Sequence, residues 1–237
     1  MRAKHGMLNM GRGWRGFVLS AVCCLSLCEA RAQSSAWRDS LATLNRQIAL
    51  SPRSTDLRLK KAAVNIELDQ WDYAIEEYGR VLDIDAKNLA ALYFRAYAYS
   101  HQRQPQLALH DYEAFLSQVP THFEARLGLA MMKRQLGRTQ DALDQLNLLV
   151  QQHPDSANAY AARADYETEL AHYDAALYDW DEALHRQPCN LQFIGAKYEL
   201  LTRLHRSSEA WQVLEEAMRQ GVPRAALRQW TGQRKKD

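Results

Sequence analysis

The sequence contains few cysteines, which can cross-link a fold, and few prolines and glycines, which interrupt regular secondary structure. It has four cysteines, and Cys23, Cys24 and Cys28 lie near the N-terminus, so Cys189 is the single thiol of the remaining chain. One thiol cannot form an internal disulfide, and no Cys/His spacing typical of a metal site is present. Six prolines and ten glycines in 237 residues are too few for a disordered chain. A disulfide-stapled miniprotein is therefore excluded.

Long apolar runs are also missing, except near the N-terminus. An uncharged apolar run covers Phe17–Cys28, with four basic residues before it and the small-x-small triplet Ala30-Arg31-Ala32 after it. This order predicts a secretory signal peptide over residues 1–32, because the run is too short to cross a bilayer as a helix. Leu27, rather than a small residue, precedes Cys28, which disfavours a lipoprotein.

No excess of charge remains once the leader is set aside. The whole chain has 30 Lys+Arg and 28 Asp+Glu, a formal net charge of +2. Residues 1–32 hold 5 of these basic residues and 1 acidic residue, which leaves 25 against 27 and a net charge of −2. We therefore expect no nucleic-acid partner. No later apolar run is long enough for a transmembrane helix.

What the sequence does have is a 34-residue period. One column holds small residues: Ser40, Ala74, Ala108, Ala142, Ala176 and Ala210. Four positions later stand large apolar residues: Leu44, Tyr78, Tyr112, Leu146, Trp180 and Leu214. Twelve positions after the small column, prolines fall on the same ladder: Pro52, Pro120, Pro154 and Pro188. A further small column runs Ala62, Ala96, Ala130 and Ala164, and ends at Tyr198. Columns that share one phase without an insertion indicate a true repeat.

The spacing within each repeat predicts two amphipathic helices. Apolar or small residues recur at intervals of three and four, and a polar break such as Leu68-Asp69-Gln70 separates the two stretches. Proline then ends the second helix because it has no amide hydrogen to donate. Each hairpin can bury its apolar face only against the next one. The fold class predicted is all-α, a right-handed α-solenoid of stacked antiparallel helix pairs.

This pattern resembles the tetratricopeptide repeat family from Thr55 to Arg224. The best matches are Ala108…Tyr112…Phe115…Pro120 and Ala176…Trp180…Ala183…Pro188. The first helices depart from the family where it often has Trp: Arg58, Leu92, Arg126, Tyr160 and Ile194. The predicted organisation is a signal peptide (1–32), an N-terminal capping helix (33–54), five repeats (55–88, 89–122, 123–156, 157–190 and 191–224) and a C-terminal cap and tail (225–237). Leu227 and Trp230 are expected to face inward in that cap.

Signatures of catalysis are missing from the sequence. It has no Gly-rich phosphate loop, no H-E-x-x-H and no G-x-S-x-G, and its histidines are scattered along the repeats. Asp181 and His185 lie one helical turn apart, but two ligands on a solvated helix face make a weak metal site. We therefore predict no enzyme activity, no cofactor and no metal.

A charged pattern links the two helices of several repeats. Sixteen residues separate the members of three pairs: Lys61 and Glu77, Arg95 and Asp111, and Arg163 and Asp179. The third repeat has Leu129 and uncharged Gln145 instead, and the fifth has Lys197 with Val213. Two interpretations are open, a clamp for a charged ligand and an ion pair within one hairpin. The second is favoured because each cation has an acid in its own repeat.

A solenoid without an active site ordinarily binds through its concave surface. The first helix of each repeat lines that surface, so the predicted partner groove consists of Leu59, Ala63, Ile66, Tyr93, Tyr97, Leu127 and Met131. Later repeats offer polar residues there: Asn158, Asp165, Thr168, Glu169, Gln192, Glu199, Thr202 and Arg203. The alternative is that the N-terminal segment around Trp37 covers the apolar residues as ordinary core.

The sequence thus predicts an exported scaffold that holds a protein or peptide segment, with the periplasm favoured over the extracellular space. A structural subunit of an envelope complex, which uses the convex face or the ends, is the alternative, and an enzyme ranks last. The resembled family also includes a clamp for the C-terminal carboxylate of cytosolic chaperones. Leu59 and Ala63 stand where that clamp has Lys and Asn, and Phe94 replaces its amide, so no affinity for an acidic chaperone tail is expected.

The leader generates a prediction about processing. We expect the exported protein to begin at Gln33, because signal peptidase selects small residues such as Ala30 and Ala32, and Cys189 to stay an unpaired thiol. Intact-mass measurement of the exported protein checks both points. A lipid adduct on Cys28 would contradict the prediction.

Overall fold

A computed structural model describes residues 35–232 of the chain. All regular secondary structure in this range is helical, and the all-α class predicted above is confirmed. The helices are α1 (35–50), α2 (Thr55–Glu67), α3 (Trp71–Ile84), α4 (Leu89–His101), α5 (Pro105–Leu116), α6 (Phe123–Gln135), α7 (Thr139–Gln152), α8 (Ala157–Glu169), α9 (Tyr173–Arg186), α10 (Leu191–Arg203), α11 (Ser207–Arg219) and α12 (Arg228–Thr231).

The helices form consecutive pairs with a regular spacing. The first helices of the pairs begin at a constant interval, equal to the repeat period of the sequence, at Thr55, Leu89, Phe123, Ala157 and Leu191. Three residues join the two helices of each pair. The pairs α2–α3, α6–α7, α8–α9 and α10–α11 pack together, and so short a link makes packed neighbours antiparallel. The polar breaks of the sequence are these links.

Each link turns through a residue with a left-handed backbone. The middle residues have φ between 56° and 70°: Asp69, Arg103, Gly137, Ala171 and His205. Among them only Gly137 adopts this conformation without a steric penalty, since a β-carbon there costs on the order of 1–2 kcal/mol. The four other residues accept that cost because the helices on both sides are held by packing.

Side-chain caps mark the start of the first helices. Ser54, Asn88, His122, Ser156 and Asn190 each accept a hydrogen bond from a backbone N–H in the first turn of the helix that follows. These bonds satisfy amides that a helix N-terminus leaves without an intrahelical acceptor. The second helices have no such cap.

The chain divides after Ala98 into two compact parts. In the N-terminal part, residues 35–98, a core forms among α2, α3 and the start of α4, and it consists of Ala62, Ala74, Tyr78, Val81 and Ala91. Ala62 and Ala74 have no exposed surface. Two helices approach closely only where their side chains are small, so the alanine columns of the sequence mark the crossing.

The C-terminal part, residues 99–232, contains a larger core that includes Leu149, Trp180, Ile194 and Leu214. The small columns of the sequence are buried in it at Ala130, Ala142, Ala164, Ala176 and Ala210. Because they are small, they let the successive helices of this part pack together.

The C-terminal cap closes this core. Leu227 and Trp230 are both buried, as predicted. The ring of Trp230 lies so close to Gly195 that a β-carbon at that position would clash with it. Trp230 Nε1 also donates a hydrogen bond to Glu199 Oε1 at 3.2 Å. A glycine on α10 therefore makes room for the cap.

A larger side chain at Ala130 should destabilise the fold. Ala130 is 3% exposed within the core of the C-terminal part, so Ala130→Leu should lower the free energy of unfolding by about 1–3 kcal/mol. The damage should extend to the neighbouring repeats, because stacked repeats share interfaces. Thermal and urea unfolding measure the change. Ala175→Leu, at an exposed position of α9, is the matched control, and equal stability of both variants would refute this packing.

Candidate functional site

Two of the predicted ion pairs join the helices of a hairpin. Lys61 Nζ lies 2.9 Å from Glu77 Oε1, and Arg163 donates two hydrogen bonds to Asp179, at 2.6 and 2.7 Å. Both acids are almost fully buried. Burial alone would raise the pKa of Glu77, but hydrogen bonds from Lys61 and Arg58 lower it below its ordinary value. The hairpin interpretation is thus confirmed for these pairs, and the Arg95–Asp111 pair stays a prediction.

Arginines occupy a second structural position that was not predicted from the sequence. We call the space between the proline that ends one repeat and the first helix of the next repeat the proline notch. In the first notch, Arg58 donates to the Pro52 carbonyl at 2.7 Å and to Glu77 at 2.8 Å. The guanidinium therefore satisfies a carbonyl at the turn and a buried acid together.

Two further notches hold a guanidinium as well. Arg126 donates to the Pro120 carbonyl and to Gln145 Oε1, the latter at 2.8 Å. In the next repeat Arg186 donates to the Pro154 carbonyl at 2.9 Å. Arg58 and Arg126 stand where the resembled family often has Trp. A sequence signal was available for these two, since each follows its proline by six residues.

The predicted groove residues of the N-terminal part lie on first helices and keep access to solvent. On α2, Ala63 is exposed, while Leu59 and Ile66 are half-buried against the core. On α4, Tyr93 is half-buried and Tyr97 is 37% exposed. None of these five side chains is fully buried.

Aromatic rings surround the two tyrosines. Phe94 contacts Tyr93 edge-on with 5.1 Å between ring centroids, and Trp71 lies 6.1 Å from Tyr97. Phe94 is itself 44% exposed. Phe94 and Trp71 were not among the predicted groove residues. Phe94 could have been found from the sequence because it follows Tyr93 directly, whereas the contact of Trp71 with Tyr97 depends on how α3 packs on α4. Trp71, Tyr93, Phe94 and Tyr97 form what we call the aromatic patch.

The N-terminal helix α1 lies along a different edge of α2. Leu44 and Gln47 of α1 line a shallow cavity together with Lys60 and Val64 of α2. Trp37 is half-buried. Residues 35–50 thus face the Lys60 and Val64 edge of α2, and Ala63 stays exposed.

In the C-terminal part, the predicted groove residues of α6 also reach solvent. Leu127 is half-buried and Met131 is 47% exposed. On α8 and α10 the corresponding surface is polar, and Asp165, Glu169 and Glu199 are exposed. Arg134 forms a 2.7 Å ion pair with Glu169.

One buried acid has no cation of its own. Glu167 on α8 is 9% exposed, and in the described part of the chain its Oε2 atom has no hydrogen-bond partner. Burial and the nearby Asp179 raise the pKa of Glu167 to about 7, although Arg163 opposes the shift. The protonated form of Glu167 is therefore favoured at pH values where an ordinary glutamate is ionised.

Neither a membrane span nor a metal cluster is found within the described residues. No helix of residues 35–232 is both long and apolar enough to cross a bilayer. The same residues contain no group of three or more His, Cys, Asp or Glu side chains that could hold a metal ion.

Antiparallel helix pairs at a 34-residue spacing define a class of helical repeat protein. Known proteins with a similar sequence or structure belong to the same class. Residues 99–166 match the family described as tetratricopeptide repeat. The chain is also 26% identical over 176 residues to the DnaJ protein P58IPK homolog of Arabidopsis thaliana. That alignment covers 71% of this chain, which spans about a third (36%) of the relative's length.

Solved structures share the fold at low sequence identity. The type IV pilus biogenesis factor PilW superposes with a TM-score of 0.65 and 15% identity, over 79% of this chain and 87% of PilW. YrrB, described as a TPR protein with an unusual peptide-binding site, gives a TM-score of 0.58 and 15% identity, over 74% and 90% of the two chains. Residues 99–166 thus match the tetratricopeptide repeat family, and the chain shares its fold with solved tetratricopeptide repeat proteins.

The raised pKa of Glu167 predicts a pH-dependent stability. The folded-state pKa of about 7 exceeds the ordinary value of 4.5, so the folded protein binds more protons between these pH values. The stability that Glu167 contributes is present below pH 4.5 and is lost as the pH rises through 7. Glu167→Gln should abolish this loss, since an amide carries no charge at any pH.

Urea unfolding at pH 5 and pH 8 measures the effect. The variant should gain on the order of 1–3 kcal/mol over wild type at pH 8 and little at pH 5, at about 1.4 kcal/mol per pKa unit. Glu67→Gln, at an exposed site on α2, is the control. An equal difference from wild type at both pH values would contradict the assignment.

Proposed function

We propose that this protein is an exported scaffold that holds a segment of a partner protein on its first helices. The repeat class supports a role in protein–protein interaction, since stacked helical hairpins present extended binding surfaces. The leader supports export, although residues 1–32 lie outside the described part of the chain. The periplasm is the compartment we favour.

The observation that carries the proposal is the aromatic patch. Trp71, Tyr93, Phe94 and Tyr97 lie together, and Phe94 and Tyr97 keep over a third of their surface exposed. A cluster of exposed aromatic side chains marks an interaction surface. Tyrosine offers a large rigid face and a hydroxyl, so it binds at low cost in conformational entropy.

The remaining predicted groove residues extend the proposal. Leu59, Ala63 and Ile66 would add apolar contacts beside the tyrosines, and Leu127 and Met131 would do so in the C-terminal part. The acidic surface of α8 and α10 would favour basic or amide groups in the partner. YrrB, which shares the fold, is described as having a peptide-binding site, and this is consistent with a segment as the partner.

A second candidate function is a structural subunit of an envelope assembly. The observation in its favour is the fold shared with PilW, which is described as a pilus biogenesis factor. The two functions differ in oligomeric state, because an assembly subunit should form a large, stable homo-oligomer. Size-exclusion chromatography of the mature protein distinguishes them.

Removing the tyrosines should weaken partner capture. Tyr93→Ala combined with Tyr97→Ala deletes two contact residues, and losses of about 1–2 kcal/mol each would reduce affinity by tenfold or more. Affinity purification of tagged protein from the cell envelope, quantified by mass spectrometry against wild type, measures capture. Circular dichroism should show unchanged helix content and nearly unchanged melting.

The matched control is Tyr73→Ala with Tyr178→Ala. Both tyrosines are 61% exposed and lie on second helices, so this variant loses the same atoms away from the patch. It should capture the partner as wild type does. The groove assignment fails if the Tyr93/Tyr97 variant binds normally or unfolds.

A further inference from the structure

The C-terminal part contains a cleft at the proline notch that follows Pro188. In other repeats an arginine fills the equivalent notch. The cleft has a volume of about 640 Å³ and lies among α9, α10 and α11. Its lining includes Leu184, Pro188, Ile194, Val213, Glu216 and Gln220. It shares no residue with the aromatic patch.

The cleft is open because the fifth repeat has no arginine at either of the two positions from which an arginine reaches the notch in other repeats. Ile194 stands one repeat period after Tyr160, in register with Arg58 and Arg126. Gln220 occupies the position that Arg186 holds in the preceding repeat. Neither side chain carries a guanidinium, so the proline notch before α10 is not filled from within.

Two of the acceptors that hold a guanidinium in the preceding repeat are repeated here, while the Tyr160 hydroxyl that also accepts from Arg186 is replaced by Ile194. Arg186 is held by the Pro154 carbonyl at 2.9 Å and by Glu182 Oε2 at 2.8 Å. Pro188 and Glu216 are the equivalents of these two groups one repeat later, and both line the cleft. In the described part of the chain no donor bonds to the Pro188 carbonyl.

Each acid of the cleft already has one cation, but Glu216 keeps the capacity to accept further hydrogen bonds. Lys197 Nζ is paired with Asp181 Oδ1. Glu216 accepts from the Gln220 amide at 2.7 Å and pairs with Arg219 at 2.5 Å on the outside. Glu182 is paired with Arg186. A carboxylate accepts about four hydrogen bonds, so Glu216 can accept more.

We propose that this cleft binds an arginine side chain of a partner protein. The apolar walls formed by Leu184, Val213 and Ala217 would cover the aliphatic stem. The planar guanidinium would donate to the Pro188 carbonyl and to Glu216, as Arg186 does to Pro154 and Glu182. Lysine lacks this planar fork and cannot donate to both acceptors in the same geometry.

The test uses N-acetyl-arginine amide as the probe and two-dimensional NMR of the intact protein. Amide resonances of Ile194, Val213 and Ala217 should shift with a Kd on the order of millimolar, as expected for a ligand of this size. N-acetyl-lysine amide and the neutral N-acetyl-citrulline amide should bind at least five times more weakly. Equal shifts with lysine, or none with arginine, overturn the proposal.

Gln220→Arg should fill the cleft from within. The new side chain copies Arg186 at a surface position, so the variant should fold and lose probe binding by at least tenfold. Ser208→Arg adds the same charge to an exposed site on α11 that does not line the cleft, and it should bind as wild type does. If Gln220→Arg fails to fold, Glu216→Gln serves instead and should weaken binding at least threefold. Retained binding in the variant that is used overturns the proposal.

Two other occupants are distinguished by the same spectra. If the cleft resonances move on dilution without the probe, a second copy of the chain occupies the site. If the cleft resonances move on deletion of residues 233–237, the chain's own Arg234 occupies the site. Either result overturns the proposal. Tyr93→Ala with Tyr97→Ala should leave arginine binding unchanged, so failure of the aromatic patch as a partner surface and failure of this cleft are separate outcomes.

Discussion

The structure depends on small side chains where paired helices cross. Ala62 and Ala74 in one hairpin, and Ala164 and Ala176 in another, have no exposed surface. A larger residue at these points would separate the helices and open the core that their close approach creates. The three-residue links, and the left-handed backbone each contains, are tolerated because this packing holds both helices in place.

Close packing of the helices also buries carboxylate side chains. A lysine or arginine must therefore lie beside each carboxylate that stays charged, to neutralise it. Glu77 and Asp179 are at most 2% exposed, and a buried charge without a partner is costly. Arg58 and Lys61 neutralise the first, and Arg163 the second. Where Val213 replaces the acid, Lys197 pairs with Asp181 of the preceding repeat instead. The Lys61–Glu77 and Arg163–Asp179 pairs are therefore part of the framework.

The proline notch is filled by an arginine of the chain itself in some repeats, and in another repeat it stays open to a ligand. A guanidinium fills the proline notch at Arg58, Arg126 and Arg186, while Ile194 and Gln220 leave the corresponding cleft open. The first helices show a similar division, because aromatic rings gather at Tyr93 and Tyr97 and charged groups at Asp165 and Glu169. A repeated scaffold can thus acquire distinct surfaces without a change of fold.

The fold class could be predicted from the sequence alone, because small and apolar residues spaced by three and four within a 34-residue period are typical of stacked helix pairs. The Lys61–Glu77 and Arg163–Asp179 pairs could be predicted in the same way, since sixteen residues carry the chain across one hairpin. Three-dimensional packing was needed to show which rings join Tyr97, that Glu167 lies beside Asp179, and that Arg186 reaches Pro154. These contacts depend on side-chain direction and on the fit between helices, which a periodic pattern does not specify.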